Sequence, residues 1–372
     1  MTAPSDPAAG LFSGEWPKSG GAEVVARLLA GCVALQASDL HVVANEFPHA
    51  RLAGELRPLP AWGRPTAEQT AGLASELARQ AGRGELPDLG AVDGAVGEPP
   101  QPRFRFNVYR RRQAWGVALR RLEDRISNLT SLGLRTDLYD LGSLTQGLVV
   151  VAGPTGAGKS TTLAALIDHI NQTRRCHIVT IEDPIEYLHP PALSLVTQRQ
   201  VGSDVAGFGV ALVEALRQDP DVILVGEMRD RETMRTALTA AETGHLVFST
   251  VHAGSCAQGV ERLVAVFPAE EQSSIRRQLS LVLRCLVAQS LVRADGPKGG
   301  RGRRVPLSEI LMMTPGVAHL VASGKTSQLE SAIQTGAGEG MQTFANDLAR
   351  LVREGLVSEM SARNLLRSDG SE

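Results

Sequence analysis

Gly147-Leu148-Val149-Val150-Val151-Ala152-Gly153-Pro154-Thr155-Gly156-Ala157-Gly158-Lys159-Ser160-Thr161-Thr162 is the stretch on which the fold turns. Its first half is short, β-branched and uncharged, which is the pattern of a fully buried parallel strand. From Thr161 to Ile170 the residues Leu163, Leu166, Ile167 and Ile170 recur at helical spacing and share one face. Between strand and helix, Gly153 to Ser160 fits G-x-x-x-x-G-K-[ST], the phosphate-binding loop. Glycines are required there because the backbone must curl round phosphate oxygens with its N–H groups aimed inward, and the helix N-terminus adds positive potential. A glycine turn can arise by chance, but here strand, loop and helix stand in register. Gly153, Pro154, Thr155, Gly156, Ala157, Gly158, Lys159, Ser160 and Thr161 are therefore expected to hold ATP. Lys159 would reach the β- and γ-phosphates, and the Ser160 hydroxyl would ligate Mg²⁺.

Strand–helix alternation continues C-terminal to this unit, as in α/β folds. Cys176–Ile181 reads as a second buried strand, Asp221–Glu227 as a third and His245–His252 as a fourth. Helices are expected over 207–218, 231–243 and 269–287, a basic glycine-rich loop over 296–304, a strand over 304–313 and several short helices over 315–366. In such sheets the carboxyl ends of neighbouring strands converge on the ligand crevice. Glu227 closes the third strand and would hold Mg²⁺ directly or through water, or aid the attacking water. Glu182-Asp183-Pro184-Ile185-Glu186 places three carboxylates within five residues; one of them would polarise that water, unless the cluster is only a capped turn. His245 and His252 bracket the fourth strand and are candidates to sense the γ-phosphate.

N-terminal to the loop the pattern is different. Helices are expected over 22–35 and 66–80, a strand after Ser38, a hairpin over 50–56, and a glycine- and proline-rich segment with short strands over 81–102. Arg103–Tyr109 alternates charged and apolar residues, as an edge or half-exposed strand does, with Ala114–Leu122 as its partner. A small α+β domain fits. Arg103 to Arg121 holds seven arginines and no acidic residue. This run is a solvated face, a nucleic-acid patch, or a set of arginines aimed at a neighbouring subunit's triphosphate. Residues 126–140 read as a linker that docks on the following domain.

The 372 residues suffice for two domains, and 43% hydrophobic with 21% charged residues is ordinary globular composition. A net charge of −2 offers no general affinity for nucleic acid or anionic membrane. Four cysteines lie far apart with no C-x-x-C pair, so neither a zinc site nor a disulfide framework is indicated, and a reducing cytoplasm is expected. Residues 1–20 lack an apolar core segment and read as a disordered tail, neither signal peptide nor anchor. Leu279–Val292 is interrupted by Arg284 and Gln289 and is too short to span a bilayer. Any membrane contact is expected through a partner.

Several long motifs in fixed order resemble the secretion ATPase superfamily of type II and type IV systems, and most of all the PilT-type twitching-motility ATPases that retract type IV pili. They are Ala37-Ser38-Asp39-Leu40-His41, Gly54-Glu55-Leu56-Arg57-Pro58, Arg103-Phe104-Arg105, Gly153 to Thr162, the aspartate box 180–186, the segment 219–230 and the histidine box 239–268. Ser331–Gly336 and Gly340-Met341-Gln342-Thr343-Phe344 match the family's tail. The resemblance runs from about Ala22 to Leu366. It implies a homohexamer whose PAS-like domain (21–125) and linker (126–142) precede a RecA-like ATPase domain with C-terminal helices (143–372). Glu186 matches the family's catalytic glutamate, Glu227 its Walker B glutamate, and His245 and His252 its histidine pair. The arginines of 103–120, with Arg105 and Arg120 foremost, lie where the family places fingers that act in trans. The resemblance further implies a cytoplasmic protein held at the inner membrane by a pilus platform protein, with a paralogous retraction ATPase as a further partner.

Two departures stand out. Gly316-Val317-Ala318-His319-Leu320 replaces the family's Ala-Ile-Arg-Asn-Leu, and Ser249 and Gly254-Ser255-Cys256 replace commoner histidine-box residues. Both leave the phosphate chemistry untouched and bear on its coupling to force. The alternatives are an accessory ring assisting another motor, a pilus-assembly or type II secretion motor, and a nucleic-acid translocase. The assembly motors resemble longer chains with a paired C-x-x-C insertion, which is absent here. The translocase conflicts with the charge balance and with only 4% aromatic residues, so no nucleic acid is expected.

Overall fold

The computed structural model describes Trp16 and residues 21–97, 101–122, 125–300 and 303–368. The tail expected over 1–20 therefore lies, Trp16 apart, outside the described residues. The chain divides into two compact units. The first comprises Met1–Arg125 with Pro184–Tyr187 and Gly202–Asp204; the second comprises Ile126–Asp183, Leu188–Val201 and Val205–Glu372.

In the first unit, α1 (Gly21–Ala34) precedes β1 (Asp39–Val43), β2 (His49–Leu52) and β3 (Glu55–Pro58), and then come α2 (Ala67–Gln80), β4 (Ala91–Val96), β5 (Phe104–Arg111) and β6 (Ala114–Arg121). The strands form one antiparallel sheet in the order β3-β2-β1-β6-β5-β4. Alternation explains it: Phe104, Phe106 and Val108 on β5 and Trp115, Val117 and Leu119 on β6 all point into the core. The stripe of Val25, Leu28 and Cys32 on α1 and that of Leu73, Ala74 and Leu77 on α2 close over them. Thr66 caps α2 reciprocally with Gln69. β5 is half-exposed but not an edge, because β4 takes that place. The β5–β6 hairpin turns on Arg112 and Gln113, both at positive φ. Its register sets Arg105 directly opposite Arg120.

The second unit runs through α3 (Leu129–Leu132), β7 (Gly147–Ala152), α4 (Lys159–Thr173), β8 (His177–Glu182), β9 (Leu195–Gln200), α5 (Phe208–Ala215), β10 (Val222–Val225), α6 (Arg231–Glu242) and β11 (Leu246–Val251). It continues with α7 (Cys256–Ala265), α8 (Ala269–Val282), β12 (Leu283–Arg293), β13 (Arg304–Met312), α9 (Pro315–Ala322), α10 (Leu329–Thr335), α11 (Phe344–Arg353) and α12 (Glu359–Ser368). The sheet order is β13-β12-β7-β11-β10-β8-β9, parallel except for β13. All six residues of β7 are buried. Leu148, Val150 and Ala152 face one helical layer, and Val149 and Val151 face the other. A strand covered on both faces must be apolar throughout, which is why its sequence does not alternate.

One expectation needs correcting. Helix was expected through Val287, but it stops at Val282, and Leu283–Val287 is strand paired to β7. A short run that is apolar and buried apart from Arg284 suits either state, and its neighbour in the sheet decides. Strand β9 and helix α7 carried no expectation. The segment 126–142 buries Leu129, Leu134, Leu138 and Leu141 in the layer that contains α4.

The C-terminal helices brace the antiparallel edge. Asp347 on α11 is fully buried and accepts from the Ser308 N–H (2.8 Å) and hydroxyl (3.0 Å). It also accepts from Arg350 Nε (2.8 Å), whose Nη2 reaches the Gly133 carbonyl at 2.8 Å. Gln342 Nε2 donates to the Ser308 carbonyl at 3.1 Å. The family-like Gly340–Phe344 tail is thus a strap across β13.

Candidate nucleotide-binding site

The loop leaves β7 with Gly153 at φ 156°, Gly156 at 78° and Gly158 at 85°. At Gly158 the chain is left-handed and enters α4 directly, so the first N–H groups of a 15-residue helix open onto the loop. A Cβ at Gly153 would stand 2.3 Å from the Gln289 carbonyl oxygen, and one at Gly158 would stand 2.9 Å from Gln289 Nε2. Only glycine fits at either place. The Gly153 N–H donates to the Val251 carbonyl at 3.2 Å, anchoring the loop's start to β11. Pro154, Thr155, Gly156 and Ser160 are exposed at its rim. Lys159 Nζ donates to the carbonyls of Gly153 (2.8 Å) and Pro154 (3.0 Å), so its ammonium lies across the mouth of the loop.

Beside the loop, Glu227 follows the end of β10 by two residues. Its backbone is fixed on both sides: the Gly226 N–H donates to the Ile181 carbonyl (2.8 Å), Thr250 Oγ1 to the Gly226 carbonyl (2.7 Å) and the Met228 N–H to the Thr250 carbonyl (3.3 Å). Arg229 Nε lies 2.6 Å from the Glu227 carboxylate, and His252 Nε2 lies 3.9 Å from it. Glu227, Arg229, Thr250, His252 and Arg262 line a cavity of about 230 Å³. Burial holds the His252 imidazole below its ordinary value; the charges of Lys159, Arg229 and Arg262 push the same way, and only Glu227 opposes. Each of these favours the neutral ring except Glu227.

His245 requires a correction. It precedes β11, level with the start of β7, and its Nδ1 contacts the Ala240 carbonyl at 3.1 Å. The six residues of β11 separate it from His252 by roughly 20 Å, so the two histidines do not converge on the loop of their own chain. Of the aspartate-box carboxylates, Glu182 accepts from Thr180 Oγ1 (2.7 Å) and Gln198 Nε2 (3.2 Å), a structural role.

Gln289 drew no functional attention in the sequence, although it breaks an apolar run. It is 3% exposed on β12, accepts from Thr162 Oγ1 at 2.8 Å and donates through Nε2 to the Ala157 carbonyl at 2.6 Å. A carboxamide inside an apolar strand beside a phosphate loop was the available signal.

The model of the type II/IV secretion system protein family matches residues 104–367. The chain belongs to this family. Among relatives of this secretion family, it is 42% identical to the type IV pilus retraction ATPase PilT of Pseudomonas aeruginosa, over 91% of this chain and 97% of that protein. It is 38% identical to the type IV pilus ATPase PilU of the same organism, over 89% and 86%. The crystal structure of the pilus retraction motor PilT with bound ADP superposes with a TM-score of 0.81 at 40% identity, covering 90% of this chain and 94% of that one.

The other candidates of this secretion-family chain lie in the first unit. Glu186 belongs to Pro184–Tyr187, where Arg103 donates to the carbonyls of Ile185 (2.7 Å) and Glu186 (3.2 Å). Arg105 and Arg120 are cross-strand neighbours on the exposed face of the sheet. Arg120 Nε donates to Asp39 at 2.8 Å, and Arg105 stands 4.0 Å from Asp93. Burial alone would raise the Asp39 carboxyl, but hydrogen bonds from Arg120 and Ser38 and the charges of Arg120 and Arg51 hold it below the usual value. Arg110 lies 4.5 Å over the Trp115 ring, and Arg111 pairs with Glu46 at 2.8 Å. Much of the basic run thus has local work. Among the described residues, no cluster of three or more His, Cys, Asp and Glu side chains could hold a metal by itself, and no helix is long and apolar enough to cross a membrane.

Proposed function

We propose that this chain is the subunit of an ATP-hydrolysing motor that retracts type IV pili. The observation that carries this reading is the 42% identity with PilT of P. aeruginosa over 97% of that protein's length. The loop N–H groups and Lys159 bind the triphosphate. Ser160 and Glu227 are hard oxygen donors on either side of it, the one-or-two-ligand arrangement that suits Mg²⁺ shared with phosphates. Mg²⁺ held there would supply charge neutralisation for the phosphates. Glu186 orients and deprotonates the attacking water, and neutral His252 donates a hydrogen bond to the γ-phosphate. Six copies form a ring in which Arg105 and Arg120 exchange their acidic partners for a neighbour's triphosphate. A PAS-like first domain moves against the ATPase domain, and a platform protein holds the ring at the cytoplasmic face of the inner membrane.

A second reading, an accessory ring assisting a paralogous motor, is favoured by Ala318 and His319 on α9, where the family carries an arginine and an asparagine. Only Val317 and Val321 of that helix are buried, so the departure is at its surface. The test is complementation of a strain lacking every retraction motor. Wild type should restore twitching, and Lys159→Ala should not. Restoration by Lys159→Ala would overturn the motor reading, whereas ordinary ATPase activity in vitro without rescue by wild type would select the accessory one.

A further inference from the structure

Strand β12 contributes one polar side chain to the floor of the phosphate loop, and that side chain spends both ends of its amide there. Gln289 Oε1 accepts from the Thr162 hydroxyl in the first turn of α4, and its Nε2 donates to the Ala157 carbonyl inside the loop. All three side-chain and backbone groups are shut away from water. The flanking glycines are shaped by the same residue, since a Cβ at Gly153 or Gly158 would run into its carbonyl or its Nε2. Directly across the sheet Gln289 is in register with Ser308, the residue that Asp347 and Gln342 strap down.

We infer that Gln289 is a positioning residue of the nucleotide site. It sets the angle between the loop and the first turn of α4, and so aims the loop N–H groups. An Ala157 peptide held by its carbonyl cannot rotate, which keeps the neighbouring N–H groups in one orientation. A Thr162 hydroxyl held from the same amide fixes the helix end that receives the phosphates. The strap on Ser308 keeps β12 itself in place beneath them. The inference rests on the nucleotide-hydrolysis reading above.

The experiment measures binding of Mg²⁺-ADP and Mg²⁺-ATP to the full-length chain by calorimetry, with steady-state turnover alongside. Gln289→Leu keeps the volume and removes both hydrogen bonds, and should weaken both nucleotides by about tenfold. KM should rise by the same factor while kcat stays within about threefold, because the defect lies in ground-state aim. Thr162→Val removes one of the two bonds and should cost about threefold. The double variant should cost no more than about the Gln289→Leu change alone, since the two residues share one interaction. Wild-type affinity in a folded Gln289→Leu protein, or fully additive losses, would overturn the assignment. Should Gln289→Leu not fold, unaltered affinity in Thr162→Val would overturn it just as well. If the unaltered chain bound neither nucleotide, the hydrolysis reading would fall and take this inference with it.

Discussion

Removing the carboxylate of Asp347 should be among the most damaging single changes in the second unit. The side chain is completely buried and satisfies the N–H and hydroxyl of Ser308 at 2.8 and 3.0 Å and Arg350 Nε at 2.8 Å. Asp347→Ala leaves a buried N–H unpaired, opens a small void and takes from Arg350, itself only 22% exposed, its buried partner, leaving it the half-exposed Glu354 at 3.0 Å. Breaking a buried pair from one side costs about 3–5 kcal/mol. At about 2–4 °C per kcal/mol for a unit of this size, the melting point should fall by about 6–20 °C. Asp347→Asn keeps the shape and one acceptor and should lose about 1–3 kcal/mol. Arg350→Met leaves the buried carboxylate with Ser308 but without its cation, and pairing it with Asp347→Asn should cost less than the two singles added. Differential scanning calorimetry at pH 7 reads wild type and the four variants. An Asp347→Ala transition within 1 °C of wild type would refute the view that this carboxylate holds the sheet edge.

Glu186→Gln should still bind ATP while hydrolysis drops by about 10²–10⁴-fold; loss of binding in a folded variant would make Glu186 a structural residue. Rings mixed from Arg105→Ala or Arg120→Ala subunits and Lys159→Ala subunits should recover part of the ATPase rate that neither ring has alone. No recovery in verified mixtures would show that these arginines serve their own subunit or only pair with Asp39 and Asp93. His189 is buried, its Nδ1 has no hydrogen-bond partner among the described residues, and burial pushes its imidazole down to about 4 from 6.5. Between those values the unfolded chain binds a proton that the folded chain refuses, so stability should rise with pH across the window, by at most about 3 kcal/mol. Asp168, 4.0 Å away, would return part of that. Urea midpoints of His189→Leu should lack the slope; identical slopes in both proteins would place the acid sensitivity elsewhere.

The phosphate loop was legible because its chemistry leaves no freedom: a backbone wrapped round phosphates needs glycine at fixed places, and a lysine and a hydroxyl after them. The acid at the end of β10 was legible for a related reason, since parallel strands deliver their carboxyl ends to one edge. Periodicity found α1, α2 and β5 for want of any competing pattern. It failed at Leu283–Val287, where all but Arg284 are apolar and the choice between helix and strand is made by β7, more than a hundred residues earlier. It missed β9, which is a mixed polar strand at the sheet margin. His245 was misjudged because a strand has direction, and two histidines at its ends cannot meet. The arginine run could not be resolved at all from sequence. Its acidic partners Asp39, Glu46 and Asp93 all come from elsewhere along the chain.

The strand order of the second sheet also sets a timetable for the ribosome. Strand β7 emerges at Gly147, yet its two sheet neighbours are β11, beginning at Leu246, and β12, beginning at Leu283. Until they arrive, an entirely apolar strand has nothing on either flank, and the loop behind it lacks the glutamine that props it. Such late, long-range pairing is slow and leaves nascent chains prone to stick. The first sheet, by contrast, pairs mostly neighbouring strands, and only β1 waits for a distant partner, β6. A nascent chain released before Gln289 has left the exit tunnel carries every residue of the phosphate loop without the prop beneath it, so its retention on an ADP resin should rise once β12 is complete.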